Sequence, residues 1–166
     1  MFKHRNRLLA AAGAATATGA IVVCGVTAAS AASPGSMRTS TESFQIMQAT
    51  IPGKATVIAH GAFTATGAAN NTLDKIVFAD GTVKLWHSPG EGPSRFNAKT
   101  CLGSVHLHGT YKIFGGTGAY QGISGHGNYQ LDNLFVAARN ANGTCSHSKE
   151  PVGFQMVIRA SGPVQR

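Results

Sequence analysis

Three sets of side chains in this 166-residue chain are of types that do chemistry, and their spacing decides what each can do. His106 and His108 flank Leu107, and residues two apart on a strand share a face, so this pair could grip one metal ion. The same alternation sets them opposite Val105, Leu107 and Ile113, on an outward face. No Glu or further His follows at a spacing that would complete a ligand set, so a solvated face is expected, with no metal and no cofactor. His60, His126 and His147 could join only through tertiary contacts. The second set is Tyr111, Tyr129 and Asn133, with His87, which lie on stripes that otherwise carry Ile, Leu, Val and Phe. A few placed polar groups in an apolar lining is the usual composition of a small-molecule site. Tyrosines whose hydroxyls reach backbone or solvent at a barrel mouth would give the same pattern. No carboxylate falls on any stripe read as inward, so acid and base roles would go to His87 or a tyrosine, or the site would act by shape alone.

The third set is the cysteines. Lys3, His4, Arg5 and Arg7 precede an uncharged stretch from Leu8 to Ala29, and Ala29-Ser30-Ala31 supplies small residues where a signal peptidase reads. A retained anchor is the alternative, weakened by the Ala, Gly and Thr content of the stretch. Residues 1–31 are therefore read as a signal peptide and the mature protein as secreted. Cys24 leaves with that peptide, and Cys101 and Cys145 remain as an even pair in an oxidising compartment. Neither has a base or a second cysteine beside it in sequence, so a disulfide is expected rather than a reactive thiol.

These groups must be positioned by strands. Residues 32–42 are rich in Ser, Thr, Pro and Gly and read as a flexible lead-in, with the folded domain spanning 43–166. Within it, Phe44 and Ile46 alternate with Gln45 and Met47, and Val57, Ala59, Gly61, Phe63 and Ala65 alternate with a more polar face. Around Asp80-Gly81, a two-residue primed turn would pair Phe78 with Val83 and Ile76 with Leu85, gathering all four on one face. Leu107, Gly109 and Tyr111, then Tyr129, Leu131, Asn133 and Phe135, then Phe154, Met156 and Ile158 form later stripes. About eight strands, no amphipathic helix of ordinary length and one apolar face per strand predict an all-β fold, a closed antiparallel eight-stranded barrel, since closure removes exposed edges. Ile76, Phe78, Val83, Leu85, His87, Leu107, Tyr111, Tyr129, Asn133, Phe135 and Met156 are the expected lining of its interior. Glycines 109, 125 and 127 withdraw volume from the same interior, which predicts a cavity.

The segment Ile113 to Tyr129, IFGGTGAYQGISGHGNY, reads as a tight turn, a second turn over Ala119 to Gly122, and re-entry into a strand at Ile123. It lacks the third glycine of a dinucleotide fingerprint and the Lys-Ser or Lys-Thr of a phosphate loop. Gly115, Gly116, Thr117, Gly118, Tyr120, Gly122, Gly125 and Gly127 resemble the corresponding segment of the allene oxide cyclase-like barrel superfamily, which includes the dirigent proteins and bacterial spirotetronate cyclases. The resemblance covers about 17 residues and implies a calycin-like barrel with a mostly apolar central cavity. In that superfamily such cavities confine a flexible lipophilic substrate and steer ring closure or radical coupling. The matched glycines are architectural, and no catalytic residue comes across with them.

The formal charge of +8 falls to +5 once Lys3, Arg5 and Arg7 are set aside. The remaining cations are scattered singly, which is consistent with weak attraction to an anionic cell surface and argues against nucleic-acid binding. Three functions fit: a secreted barrel that binds a small lipophilic molecule, an isomerase or cyclase that folds a flexible substrate toward its reactive shape, and a surface or structural protein whose barrel is filled by its own side chains.

Overall fold

The computed structural model describes residues 38–166; the expected signal peptide and all but the end of the lead-in lie outside them. Nine strands follow in order: β1 (Thr39–Gln48), β2 (Ala55–Gly61), β3 (Ala65–Ala69), β4 (Lys75–Phe78), β5 (Gly81–His87), β6 (Ser94–Asn97), β7 (Leu102–Gly118), β8 (Ser124–Val136) and β9 (Gly153–Gln165). All pairs are antiparallel in the order β5-β4-β3-β2-β1-β9-β8-β7-β6, and β5 also pairs with β7. That last pairing closes eight strands into a barrel. The ninth, β6, continues along the edge of β7 where β5 leaves it, pairing Ser94 with Val105 through Asn97 with Leu102. No helix occurs among the described residues.

Lateral rows of side chains explain why this sequence closes. Ala65, Ala59, Phe44, Ala160, Tyr129 and Gly109 face one another across six strands, so large residues meet small ones. In the next row Val57, Ile46, Ile158, Leu131 and Leu107 are all branched, and beyond Val57 the row passes to Gly67 of β3 and Phe78 of β4. Alternating sizes let inward side chains interdigitate in a narrow barrel. Phe44, Val57, Ile76, Val83, Ile113 and Ile158 are buried in the resulting core, and each such side chain stabilises the fold by roughly 1.5–3 kcal/mol.

The inward glycines do not leave open space. Gly103, Gly109 and Gly127 each face an aromatic residue across the β7–β8 ribbon, namely Phe135, Tyr129 and Tyr111. A Cβ at Gly103 would stand 2.2 Å from the Phe135 ring, and one at Gly109 2.6 Å from Tyr129. The rings lie over these glycines, and Pro163 and Val164 of β9 lie beside Gly125, so space that was expected to remain empty is occupied. A smaller cavity follows.

Three further expectations are corrected. The hairpin turns at Ala79-Asp80, pairing Phe78 with Gly81 and Ile76 with Val83. The shift is by two residues, so every side chain keeps its face; Gly81 is drawn into the strand because its backbone packs on Thr117 of β7, 2.0 Å from where a Cβ would be. No turn interrupts Gly115-Gly116, because β7 runs on to Gly118 with its irregularity opposite Lys84 and Leu85. Finally, β1 begins at Thr39, so residues 39–42 belong to the barrel. Cys101 and Cys145 are bonded, with Cα atoms 5.4 Å apart, and fasten the segment after β8 to the β6–β7 turn, where Ala137 N–H donates to the Cys101 carbonyl at 2.8 Å.

Candidate functional site

A cavity of about 70 Å³ lies inside the barrel. Phe44 and Ile46 reach it from β1, Ile76 from β4, Leu85 and His87 from β5, Tyr111 and Ile113 from β7, Tyr129 and Leu131 from β8, and Ile158 and Ala160 from β9. Of the residues expected to line it, Ile76, Leu85, His87, Tyr111 and Tyr129 do so. Phe78, Val83 and Met156 are buried in the surrounding core but not at the cavity wall. Leu107 is covered by the loop after β5, where a Cβ at Gly90 would sit 2.9 Å from it. Phe135 lies over Gly103 and faces Phe96, with ring centroids 6.3 Å apart. Asn133 lies two residues beyond Leu131, and its buried Oδ1 has no hydrogen-bond partner among the described residues.

One rim of the cavity is polar. Tyr129 Oη donates to the Ser88 carbonyl at 3.0 Å, tying its ring to the loop after β5. His87, exposed, places Nδ1 3.1 Å from the Ser88 carbonyl and Nε2 3.3 Å from that of Thr72. A neutral imidazole donates to one of these at a time. Leu73 completes the rim from the β3–β4 turn, held at φ 57°, a left-handed backbone that a branched residue adopts only under constraint. The constraint comes from Asn70: its carbonyl accepts from Leu73 N–H at 3.0 Å, its amide donates to Asp74 Oδ1 at 2.6 Å, and its Oδ1 accepts from Lys75 N–H at 3.1 Å. The Asn70 amide, with help from Thr72, holds the Asp74 carboxyl below the usual carboxylate range.

Contrary to the expectation from sequence, an inward carboxyl exists. Glu42 on β1 is 0% exposed. Its Oε2 accepts from Phe63 N–H at 2.9 Å, while Oε1 is buried without a partner among the described residues. Burial pushes its pKa up; hydrogen bonds from the backbone around Phe63 pull partly the other way. Its neighbours in the strand pairing are Gly61 and Gly162, and Gly162 in turn abuts Gly127, over which the Tyr111 ring lies. Glycines on both sides thus make room for one long acidic side chain. Tyr111 Oη is likewise buried without a partner, and burial, with the nearby Glu42 charge, pushes its pKa up to about 12. Glu42 itself does not line the cavity. It was missed because Ser, Thr and Gly around it look like a lead-in; the alternation Glu42-Phe44-Ile46 was the available signal.

His106 and His108 are exposed on the outer face. His106 Nδ1 lies 2.8 Å from Asp132 Oδ1, and Arg159 donates to Asp132 Oδ2 at 3.0 Å. His106 first, then Arg159, hold the Asp132 carboxyl below its ordinary value. Chemically, the interior offers apolar confinement with a hydroxyl-and-imidazole rim, and a buried acid that stands outside the cavity. No protein-family model matches the chain, and the curated proteins and the solved structures provide no match either.

Proposed function

We propose that this protein is an exported barrel that binds a small lipophilic molecule in its central cavity without altering it. The observation that carries this reading is the cavity itself, about 70 Å³ with almost wholly apolar walls and a polar rim at His87 and Tyr129. A cavity of about 150 Å³ takes benzene. The space here is about half of that, so it admits only the end of an unbranched alkyl chain, the remainder reaching past the rim, and excludes a fused ring system. The resemblance of Gly115 to Gly127 to the allene oxide cyclase-like segment supports a calycin-like barrel of this kind. Export rests on the basic start, the neutral stretch and Ala29-Ser30-Ala31, and the Cys101–Cys145 bond accords with an oxidising compartment.

The cyclase reading gains an acid in Glu42, yet that acid lies off the cavity wall, so binding without reaction is preferred. The packed-barrel reading is favoured by the rings that cover Gly103, Gly109 and Gly127. Methyl NMR of Ile76, Ile113 and Ile158, which line the cavity, separates these readings. Hexanol should shift the three methyl signals, naphthalene should not, Leu131→Phe should abolish the hexanol effect, and His106→Ala should leave it intact. No shift with hexanol up to its solubility would establish the packed barrel instead.

A further inference from the structure

The outer surface carries a groove that the interior reading does not use. Two concavities, of about 500 and 410 Å³, share Asn128 and Ser161 and so adjoin along the barrel wall. Its floor is a lateral row in register over five strands: His60 of β2, Ser43 of β1, Ser161 of β9, Asn128 of β8 and Thr110 of β7. One end is walled by Trp86, the chain's single tryptophan, which is 57% exposed. No carboxylate lines either half; Lys112, the strand partner of Trp86, lies at the tryptophan end, and Arg159 on the far side is occupied by Asp132 at 3.0 Å.

We infer that this groove binds a polysaccharide chain, with one pyranose ring stacked on Trp86 and its neighbours hydrogen-bonded along the row. A pyranose presents C–H groups on its ring faces and hydroxyls around its edge. A bare indole face suits the first, since aromatic surface both removes apolar area from water and attracts the slightly positive C–H edge. Hydroxyls and amides that both donate and accept suit the second. A protein partner fits poorly, because interface centres are apolar and this floor is the polar row His60, Ser43, Ser161, Asn128 and Thr110. Single-stranded nucleic acid also fits poorly, since it calls for several stacking rings and a continuous cationic track, whereas this groove has one exposed indole with Lys112 beside it and an Arg159 already held by Asp132.

Electrophoresis of the full chain through native gels cast with hydroxyethyl cellulose, xylan, laminarin or soluble starch tests this directly. At least one polymer should retard the protein, and the retardation should persist at about 0.5 M NaCl, where exposed charges are screened within a few ångströms. Because Trp86 is the only indole, its fluorescence should change on titration with the soluble form of the same polymer. Trp86→Ala should restore free mobility, and Asn128→Ala should weaken binding at least about tenfold, a change of about 1.4 kcal/mol, while Trp86 still reports. Leu131→Phe, which fills the interior, should change nothing, so this site stands or falls apart from the cavity. Free mobility in all four gels, retardation that survives Trp86→Ala, or salt-sensitive binding confined to poly(dT) would each overturn the assignment.

Discussion

Tyr111 lays its ring over Gly127, its partner across the β7–β8 ribbon, with Cε1 2.7 Å from where a Cβ on that glycine would stand. Tyr129 does the same over Gly109, but the two pairs differ in what else is near. A Cβ at Gly127 would also meet the Ser161 carbonyl oxygen at 2.1 Å, whereas at Gly109 the nearest atoms all belong to the tyrosine ring. Gly109→Ala should destabilise by about 1–3 kcal/mol through overpacking, and adding Tyr129→Leu should recover most of it. Gly127→Ala should be destabilising whether or not Tyr111→Leu accompanies it, because backbone cannot swing away. Urea midpoints of the four variants decide this, and equal rescue at both sites would contradict the packing described.

Glu42 sets a pH dependence. Its pKa is raised in the folded protein above the ordinary 4.5, so above about that pH the unfolded chain releases a proton that the native state retains. Its contribution is thus complete below pH 4.5 and declines as pH rises until the folded pKa is passed. Asp132, held low beside His106 and Arg159, acts oppositely: its contribution is present above 3.8 and lost as pH falls through the folded value. Glu42→Gln should flatten the decline measured by urea unfolding from pH 4.5 to 8. A variant that loses stability as steeply as the wild type over that range would place the cause elsewhere.

Leu73 yields an inverted ranking. At φ 57° a non-glycine residue costs roughly 1–2 kcal/mol. Leu73→Gly relieves that strain while losing the rim contact, so its stability should stay within about 1 kcal/mol of wild type. Leu73→Ala loses the contact and keeps the strain, and should be the less stable of the two. Hexanol exchange, read from methyl line shapes, should quicken in both.

The disulfide closes a segment in which its cysteines lie 44 residues apart, and in the chain-entropy model contributes roughly 4 kcal/mol. Thiol titration of denatured protein should find no free thiol from Cys101 or Cys145, and reduction should lower the urea midpoint accordingly. Two titratable thiols per chain in protein recovered from culture medium would contradict the bond.

Intact mass of that same secreted material should correspond to residues 32–166. Recovery only at full length in a membrane fraction would reverse the reading of residues 1–31 as a cleaved peptide.

Alternation along each segment determined, by itself, which side chains face inward. Period two is a local property of an extended chain, and parity survives a register shift of two. That is why Ile76, Phe78 and Val83 are buried although the turn lies one residue earlier than Asp80-Gly81 suggests. It is also why His106 and His108 face out. The cysteine pairing followed from counting once residues 1–31 were read as a signal peptide that carries Cys24 away. Register and cavity size were decided only by tertiary structure, as was the room for Glu42, whose inward parity with Phe44 and Ile46 is legible in the sequence. Gly81 joins β5 because β7 passes within a Cβ's reach, a contact between residues 36 apart. The cavity is small because Tyr111, Tyr129 and Phe135 cross to partner strands and cover glycines that, read along one strand, look like empty space. Glu42 is inside because Gly61 and Gly162, distant in sequence, leave room beside it once β1 is paired on both edges. Such facts arise from strands brought together by barrel closure, and no local pattern encodes the distance between them.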